Sequence, residues 1–480
     1  MNPAALPKKL IFRALQWWIA RGTRKTARIA RPAGAVVMNR QGHLVVGGCD
    51  TLELAEAYGT PLFVVDRGAL EAQYRSFAAG LQESGVESRI FYSYKTNPVP
   101  GILRVLHGCG AGAEVISPYE LWLAGQLGVP PQEIVYNGPN KSRSALRTAI
   151  DLGIRLININ SQAEMELIEE MAAASGHRVR AGVRITPASG WGGQFGLKVQ
   201  NGEALAAFAA LAQSSRIEAA AIHFHLGTNL KHARHHLAAL AEVFALMAEI
   251  RERFGLSIRE LDLGGGFGVP SVRPLSSREI HWNAMAYKPY PPEPAGAMPE
   301  IGALLGEITT AVAQLSRRYR LDPPTLLFEP GRVLTSGAEI LLTRIGDLRA
   351  TTHGFPIALL DAGVNIARPL TFEYHDILAA ARAAAPRSER MGLAGPICTP
   401  MDFFIKSAAL PPVGSGDLLA IMDAGAYFTA FANDFSFPRP AIVMASDGSH
   451  RVIRAAEGFE DLIARDRLVE DAPRPGLSAT

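Results

Sequence analysis

The stretch Phe91-Tyr92-Ser93-Tyr94-Lys95-Thr96-Asn97 decides how the rest of the chain is read. The run from Ile90 to Tyr94 has the length and aromatic composition of a buried strand, and it ends on a lysine that Pro98 keeps from opening an ordinary helical turn. A lysine at the mouth of a strand is either a solvated loop residue or a Schiff-base lysine, desolvated enough to attack an aldehyde or imine. The second reading gains weight from company elsewhere in the chain. His223-Phe224-His225, Gly264-Gly265-Gly266 and Glu329-Pro330-Gly331-Arg332 each follow a predicted strand of their own.

Outward from that stretch, strand and helix signals alternate. Strands are expected near residues 90–94, 113–116, 134–137, 155–159, 179–185, 218–224, 259–263 and 325–328. Ser117-Pro118-Tyr119-Glu120 and Ser161-Gln162-Ala163-Glu164 carry helix-start signals, and Leu70, Tyr74, Phe77 and Leu81 recur along one helical face. Such a succession points to an α/β fold, a (β/α)8 TIM-like barrel, with an open doubly wound sheet as the alternative. In a barrel the chemistry lies at the carboxyl ends of the strands, where Lys95, Asn137, Arg184, His225, Gly264 to Gly266 and Glu329 to Arg332 all fall.

Domain bounds follow from the changes in pattern. Residues 1–33 carry arginines and lysines without one acidic residue, interleaved with apolar positions such as Trp17 and Trp18; this is a basic amphipathic extension suited to an anionic membrane surface or an acidic partner, or else a solvated tail. Residues 34–59 are expected to join a β-rich domain at 336–469, residues 60–335 to form the barrel, and residues 470–480 to be disordered. With 480 residues, a net charge of +3 and three cysteines, the chain reads as a cytoplasmic enzyme with no membrane span, no metal-type cysteine spacing and no evident nucleic-acid partner.

The polar residues suggest one cofactor. The triple glycine offers backbone N–H groups for a phosphate, with Arg332 as a cationic clamp, and phosphate beside a Schiff-base lysine suggests pyridoxal 5'-phosphate. Glu329 would keep the pyridine nitrogen protonated, which favours decarboxylation. His225 would stack on the ring, with Thr228 and Asn229 in a polar turn near the phosphate. Cys398, on a Gly-Pro loop with Asp402 close behind, is a candidate proton donor, and Tyr427 offers a phenol for phosphate or substrate.

These pieces together resemble the fold-type III pyridoxal-phosphate decarboxylases, the family of diaminopimelate, ornithine and arginine decarboxylases, over roughly residues 60 to 445. The matching motifs are Tyr94-Lys95-Thr96-Asn97, His225-Leu226-Gly227-Thr228, Gly264-Gly265-Gly266, Glu329-Pro330-Gly331-Arg332, Gly395-Pro396-Ile397-Cys398 with Asp402, and Gly425-Ala426-Tyr427. The resemblance implies an alanine racemase-like barrel followed by a β-rich domain. It implies a Schiff base on Lys95, His225 on the ring and Glu329 on its nitrogen. It places Gly264, Gly265, Gly266, Gly331, Arg332 and Tyr427 at the phosphate, with Glu114 near the cofactor, which Arg184 is also expected to bind from its strand end. It further implies a head-to-tail homodimer in which Cys398 of the partner subunit protonates the product carbon.

Departures from that family concern the substrate. Diaminopimelate decarboxylases read Cys-Glu-Ser and Arg-Pro-Ala-Leu-Tyr where this chain has Cys398-Thr399-Pro400 and Arg368-Pro369-Leu370-Thr371-Phe372. The expected substrate pocket, with Arg332, Arg368, Phe372, Thr399, Asp402 and Tyr427, thus loses a charge and a hydroxyl for a distal ammonium. The expected activity is decarboxylation of an amino acid or derivative, free or held on a carrier protein. Diaminopimelate decarboxylation yielding L-lysine, and an inactive regulator keeping the fold, are the competing readings. A proline-rich insertion from Val269 to Ala297 follows the phosphate glycines and is expected either to cover the cleft, to receive a carrier arm or to be a surface excursion.

Overall fold

Strand β1 (Ser88–Ser93) buries Phe91, Tyr92 and Ser93 and delivers Lys95 into a short 3-10 turn, Tyr94–Thr96. The computed structural model of the chain describes residues 37–467 apart from residues 84, 292–297 and 352–353. The basic extension 1–33 and the tail 470–480 lie outside those residues. The barrel continues with β2 (Gly112–Val115), β3 (Ile134–Tyr136), β4 (Leu156–Ile159), β5 (Val179–Thr186), β6 (Ile217–His223), β7 (Glu260–Asp262) and β8 (Thr325–Phe328). Every neighbouring pair is parallel, and the ring closes where β4 pairs β5 (Ile157 with Ala181) and β8 pairs β1 (Leu326 with Ser88).

The expected helix starts form as read. Ser117 and Ser161 accept the backbone N–H groups of Glu120 and Glu164, and Asp66 accepts that of Ala69 at the head of the helix Arg67–Gln82. Leu70, Tyr74, Phe77 and Leu81 are all buried on that helix, each such side chain contributing on the order of 1.5–3 kcal/mol by leaving water. Phe77 packs edge-on against Phe267 and Phe328, which fixes the helix over the end of the barrel wall that carries the glycines.

The barrel interior changes character along its axis. Phe91, Val135, Leu156, Ala221 and Leu327 form one buried apolar layer. Two residues further along the same strands, on the same face of each pleat, stand Ser93, Asn137, Asn158, His223 and Glu329. Gly112 and Gly182 make room for this packing, because a Cβ at the first would lie 2.6 Å from the Phe91 ring and at the second 2.0 Å from Asn158 Oδ1. The apolar layer thus plugs the barrel and a polar floor lies above it.

A second sheet runs in the order Ile405–Leu410, Glu389–Ala394, Ile357–Leu360, Glu339–Arg349, Leu62–Asp66, Ile442–Ser446 and Ser449–Arg454, with Leu418–Ile421 paired to the long strand Glu339–Arg349 and Ile377–Ala379 paired to Leu418–Ile421. Most of the sheet's strands fall within residues 336–469, short apolar runs such as Ile357–Leu360, Leu418–Ile421 and Ile442–Ser446 among them. One boundary differs from the reading: Leu62–Asp66 falls within the expected barrel, yet it lies in this sheet, antiparallel to Glu339–Leu342 and parallel to Ile442–Ala445. Its alternate residues Leu62 and Val64 pack with Leu44, Leu54 and Leu342 in one core while Phe63 and Val65 face another, a two-sided burial that periodicity alone does not assign to either domain.

Candidate active site

Charged and polar side chains from different strand ends converge beneath Lys95. Its Nζ lies 3.0 Å from Glu114 Oε2, with the lysine side chain 34% exposed and the glutamate fully buried, so the amine looks outward from a closed base. Glu114 Oε1 accepts Asn137 Nδ2 at 2.9 Å, and the same Nδ2 reaches Glu329 Oε1 at 2.5 Å. Asn137 is oriented by Asn158, whose amide donates to Asn137 Oδ1 at 2.7 Å and to Asp262 Oδ2 at 3.1 Å.

Charge balance here departs from a desolvated, low-pKa lysine. Burial lowers the Lys95 pKa, but the carboxylates of Glu114 and Glu329 outweigh it and hold the ammonium above its ordinary value. Asp262 is driven well above the usual carboxylate range by burial and by Glu329, to which it is hydrogen-bonded. Burial pushes Glu329 in the same direction, yet His223, Lys95 and Asp262 hold it below that range, so Asp262 carries the proton and Glu329 the charge. His223 Nε2 lies 3.6 Å from Glu329 Oε2. Ligand atoms of His223, Asp262 and Glu329 fall within 4.8 Å of one another, and all three residues are buried.

His225 is half-buried and, chiefly through desolvation and then the Lys95 charge, its pKa falls to about 3, which leaves a neutral ring beside Trp191 at 5.8 Å between centroids. Arg184 is lowered by burial, faces Glu329, Glu114 and Asp262, and covers the Phe195 ring at 4.4 Å. The triple glycine follows β7: Gly264 (φ 65°) and Gly266 (φ 85°) are left-handed, and a Cβ on Gly265 or Gly266 would sit 2.2 Å from Glu329 O or 2.1 Å from Gly227 O. Gly331 serves the same close approach, its missing Cβ leaving Thr96 Oγ1 in place beside Lys95.

The second sheet clamps the lysine turn. Asn97 Nδ2 donates to Glu339 Oε2 at 2.7 Å and to Gly425 O at 3.3 Å, while Thr429 Oγ1 donates to Asn97 Oδ1 at 3.0 Å. Tyr427, in a left-handed conformation (φ 71°), donates its N–H to Thr96 O at 2.9 Å. Its ring lies 5.3 Å from the Arg332 guanidinium and stacks on Phe431, against which Phe372 packs edge-on and over which Arg368 lies at 6.0 Å.

Several expected site residues sit differently from their reading. Arg332 is not an unpaired clamp: its Nη1 and Nη2 donate to the two oxygens of Glu373 at 3.0 and 2.5 Å. Asp402 is buried with both oxygens on backbone N–H groups, Val364 at 2.5 Å and Ile397 at 2.6 Å, so it shapes the loop that carries Cys398 instead of facing a substrate. Thr228 is exposed, and Asn229 ties the start of the insertion through Val269 N and Val272 O. Cys398 is exposed, Thr399 half-buried, and among the described residues no hydrogen bond or ion pair joins either to the Lys95 cluster within this chain. Asn158, Asp262, Glu339 and Glu373 were missed; for Asn158, two-residue alternation from Leu156 of the apolar layer is the signal that finds it.

The fit to pyridoxal phosphate rests on this donor set: an amine at the mouth, a buried ionised carboxylate, a neutral imidazole and a side-chain-free glycine bend. His223 Nδ1 and Arg332 Nε are also buried without a hydrogen-bond partner.

Comparison with known proteins agrees. Residues 67–336 match the family model described as "Pyridoxal-dependent decarboxylase, pyridoxal binding domain". Diaminopimelate decarboxylase of Methanothermobacter thermautotrophicus is 31% identical over 89% of this chain and 96% of its own length, and that of Bacillus subtilis is 29% identical over 90% and 97%. The crystal structure of diaminopimelate decarboxylase from Methanocaldococcus jannaschii superposes with a TM-score of 0.81 at 29% identity, covering 91% of this chain and 98% of that one. A second structure of the same enzyme, in co-complex with L-lysine, gives 0.79 at 28% identity, covering 90% and 98%.

Proposed function

This chain belongs to the pyridoxal-dependent decarboxylases, and from that premise we propose that it removes the α-carboxyl group of an amino acid whose distal end is neutral, acylated or carrier-linked, in a homodimer with shared sites. It is a carboxy-lyase with pyridoxal 5'-phosphate as cofactor and an amino-acid substrate. The observation that carries the reading is that Glu114, the partner of Lys95 Nζ, and Glu329 meet on the one amide of Asn137 at the barrel mouth.

When bound, pyridoxal phosphate supplies a protonated pyridine ring that accepts the electron pair left as carbon dioxide departs. Lys95 would hold its aldehyde carbon through Nζ, with Glu114 taking up the ammonium's charge until the amine is engaged. Glu329 would hold the proton on the ring nitrogen, kept ionised for that task by His223 and by a protonated Asp262. His225 offers an uncharged ring to stack on the cofactor, and Arg184 balances the carboxylates beneath it. Gly264 to Gly266, Gly331 and Tyr427 would receive the phosphate, with Arg332 Nε as a further donor. Cys398 of the partner subunit would return a proton to the carbon that lost its carboxylate, which accords with this loop standing exposed on its own chain.

Thr399 and Phe372, where diaminopimelate decarboxylases carry Glu and Tyr, support the neutral distal end. The relatives named diaminopimelate decarboxylase, together with the exposed guanidinium of Arg368, favour the second reading, free diaminopimelate. Carbon dioxide release across a panel of free, acylated and carrier-linked amino acids separates them. Efficient turnover of free diaminopimelate selects the second reading, and release from none of the panel overturns both.

A further inference from the structure

The insertion after the glycines is tied to the cleft wall through one short strand. Its Arg273–Pro274 segment pairs antiparallel with Glu373–Tyr374, Leu275 donates its N–H to Phe372 O at 2.8 Å, and Ser271 reaches Asp423 at 2.8 Å. Further along, Asn283 holds Ser407 O and Lys406 N–H of the second sheet. The described part of the insertion is therefore a strut between barrel and sheet, not a loose excursion, and it fixes the register of the strand that carries Glu373.

That register drives Glu373 onto Arg332. The pair is two-pronged, with both side chains at 6% exposure or less, and it lies against the Tyr427 ring beside the Lys95 turn. A guanidinium recognises a carboxylate through two parallel N–H groups, and Glu373 occupies both Nη groups of Arg332. Burial raises the Glu373 pKa, but His375, 3.5 Å away, and Arg332 outweigh it and keep the carboxylate ionised. A second carboxylate arriving here meets a buried negative charge in place of a free cation.

We propose that Glu373, held on Arg332 by the insertion strand, is a specificity-determining residue: it takes the place of a substrate's second carboxylate, so the site accepts amino acids whose only carboxylate is the one removed. This rests on the decarboxylase reading and deepens it, adding rejection of a distal acid to the missing recognition of a distal ammonium.

The test compares binding of two probes of matched length to the holoenzyme, 2-aminohexanoate with an apolar end and 2-aminoadipate with a carboxylate, followed by the change in the cofactor's visible spectrum and by calorimetry. Wild type should bind 2-aminoadipate at least about tenfold more weakly, and Glu373→Gln should shrink that ratio about tenfold or more by releasing the Arg332 fork. Glu373→Asp, which keeps the charge, should retain most of the discrimination. Equal binding of both probes by wild type overturns the proposal without recourse to any variant, as does an unchanged ratio in folded Glu373→Gln. If neither probe binds to enzyme that carries the cofactor, the amino-acid reading itself falls and takes this one with it.

Discussion

Glu114 and Glu329, two strands apart with the Lys95 strand between them, meet on a single side chain: Asn137 Nδ2 lies 2.9 Å from one carboxylate and 2.5 Å from the other. One neutral amide thereby holds together two acids that would otherwise repel, and sets both toward the lysine. Asn137→Ala should cost roughly 1–3 kcal/mol of stability, since it strips buried carboxylate oxygens of a donor. Thermal melts of the holoenzyme measure this. A variant as stable as wild type would mean that the amide is not what reconciles the two acids.

Lys95→Ala should abolish the visible absorbance that purified enzyme shows with pyridoxal phosphate, because only a covalent link to Nζ ties that band to this side chain. Persistence of the band in the variant removes Lys95 from its assigned place.

Cys398→Ala should keep cofactor binding while cutting kcat by on the order of 10²-fold or more, the loss falling on the proton-return step. Mixed dimers of Lys95→Ala and Cys398→Ala chains should recover part of the activity, since one of their two sites then receives an intact lysine and an intact thiol. Verified heterodimers with no recovery would argue that each chain completes its own site.

Glu339 is buried at the start of its strand with Oε1 unpartnered, and burial, only partly offset by the bond from Asn97, raises its pKa from the usual 4.5 to about 8. A raised folded-state pKa stabilises fully below the unfolded value of 4.5 and is lost as pH climbs through 8. Wild type should therefore lose stability between pH 5 and 9, and Glu339→Gln should recover on the order of 2–4 kcal/mol at the alkaline end. Denaturant melts at both extremes test it, and parallel curves for the two proteins would show that Glu339 does not titrate in this window.

The barrel was legible because its signals are local. Cap serines, a four-three-four apolar stripe and strand-end polar residues each reflect neighbours in sequence, and residues such as Lys95, His225 and Glu329 stand where the alternation places them. What stayed hidden depends on partners far along the chain. The ion pair of Arg332 with Glu373 spans 41 positions, and the bond from Asn97 to Glu339 spans 242. Asp402 read as a site acid because its motif neighbours a cysteine, whereas its oxygens are consumed by backbone groups that no pattern announces. The Lys95 pKa was misjudged for a related reason: burial is visible in an apolar run, but the two acids that outweigh it come from other strands.

Leu62–Asp66 has a consequence for the order in which the protein is made. It leaves the ribosome before any barrel strand, yet its partners in the sheet, Glu339–Arg349 and Ile442–Ser446, are synthesised only after all of them. The nascent chain must therefore carry an apolar, unpaired edge while the whole barrel emerges, and the sheet around it closes only near the end of translation. A ribosome stalled short of Ile442 would release a molecule with its barrel strands complete and one side of that early strand open to another chain.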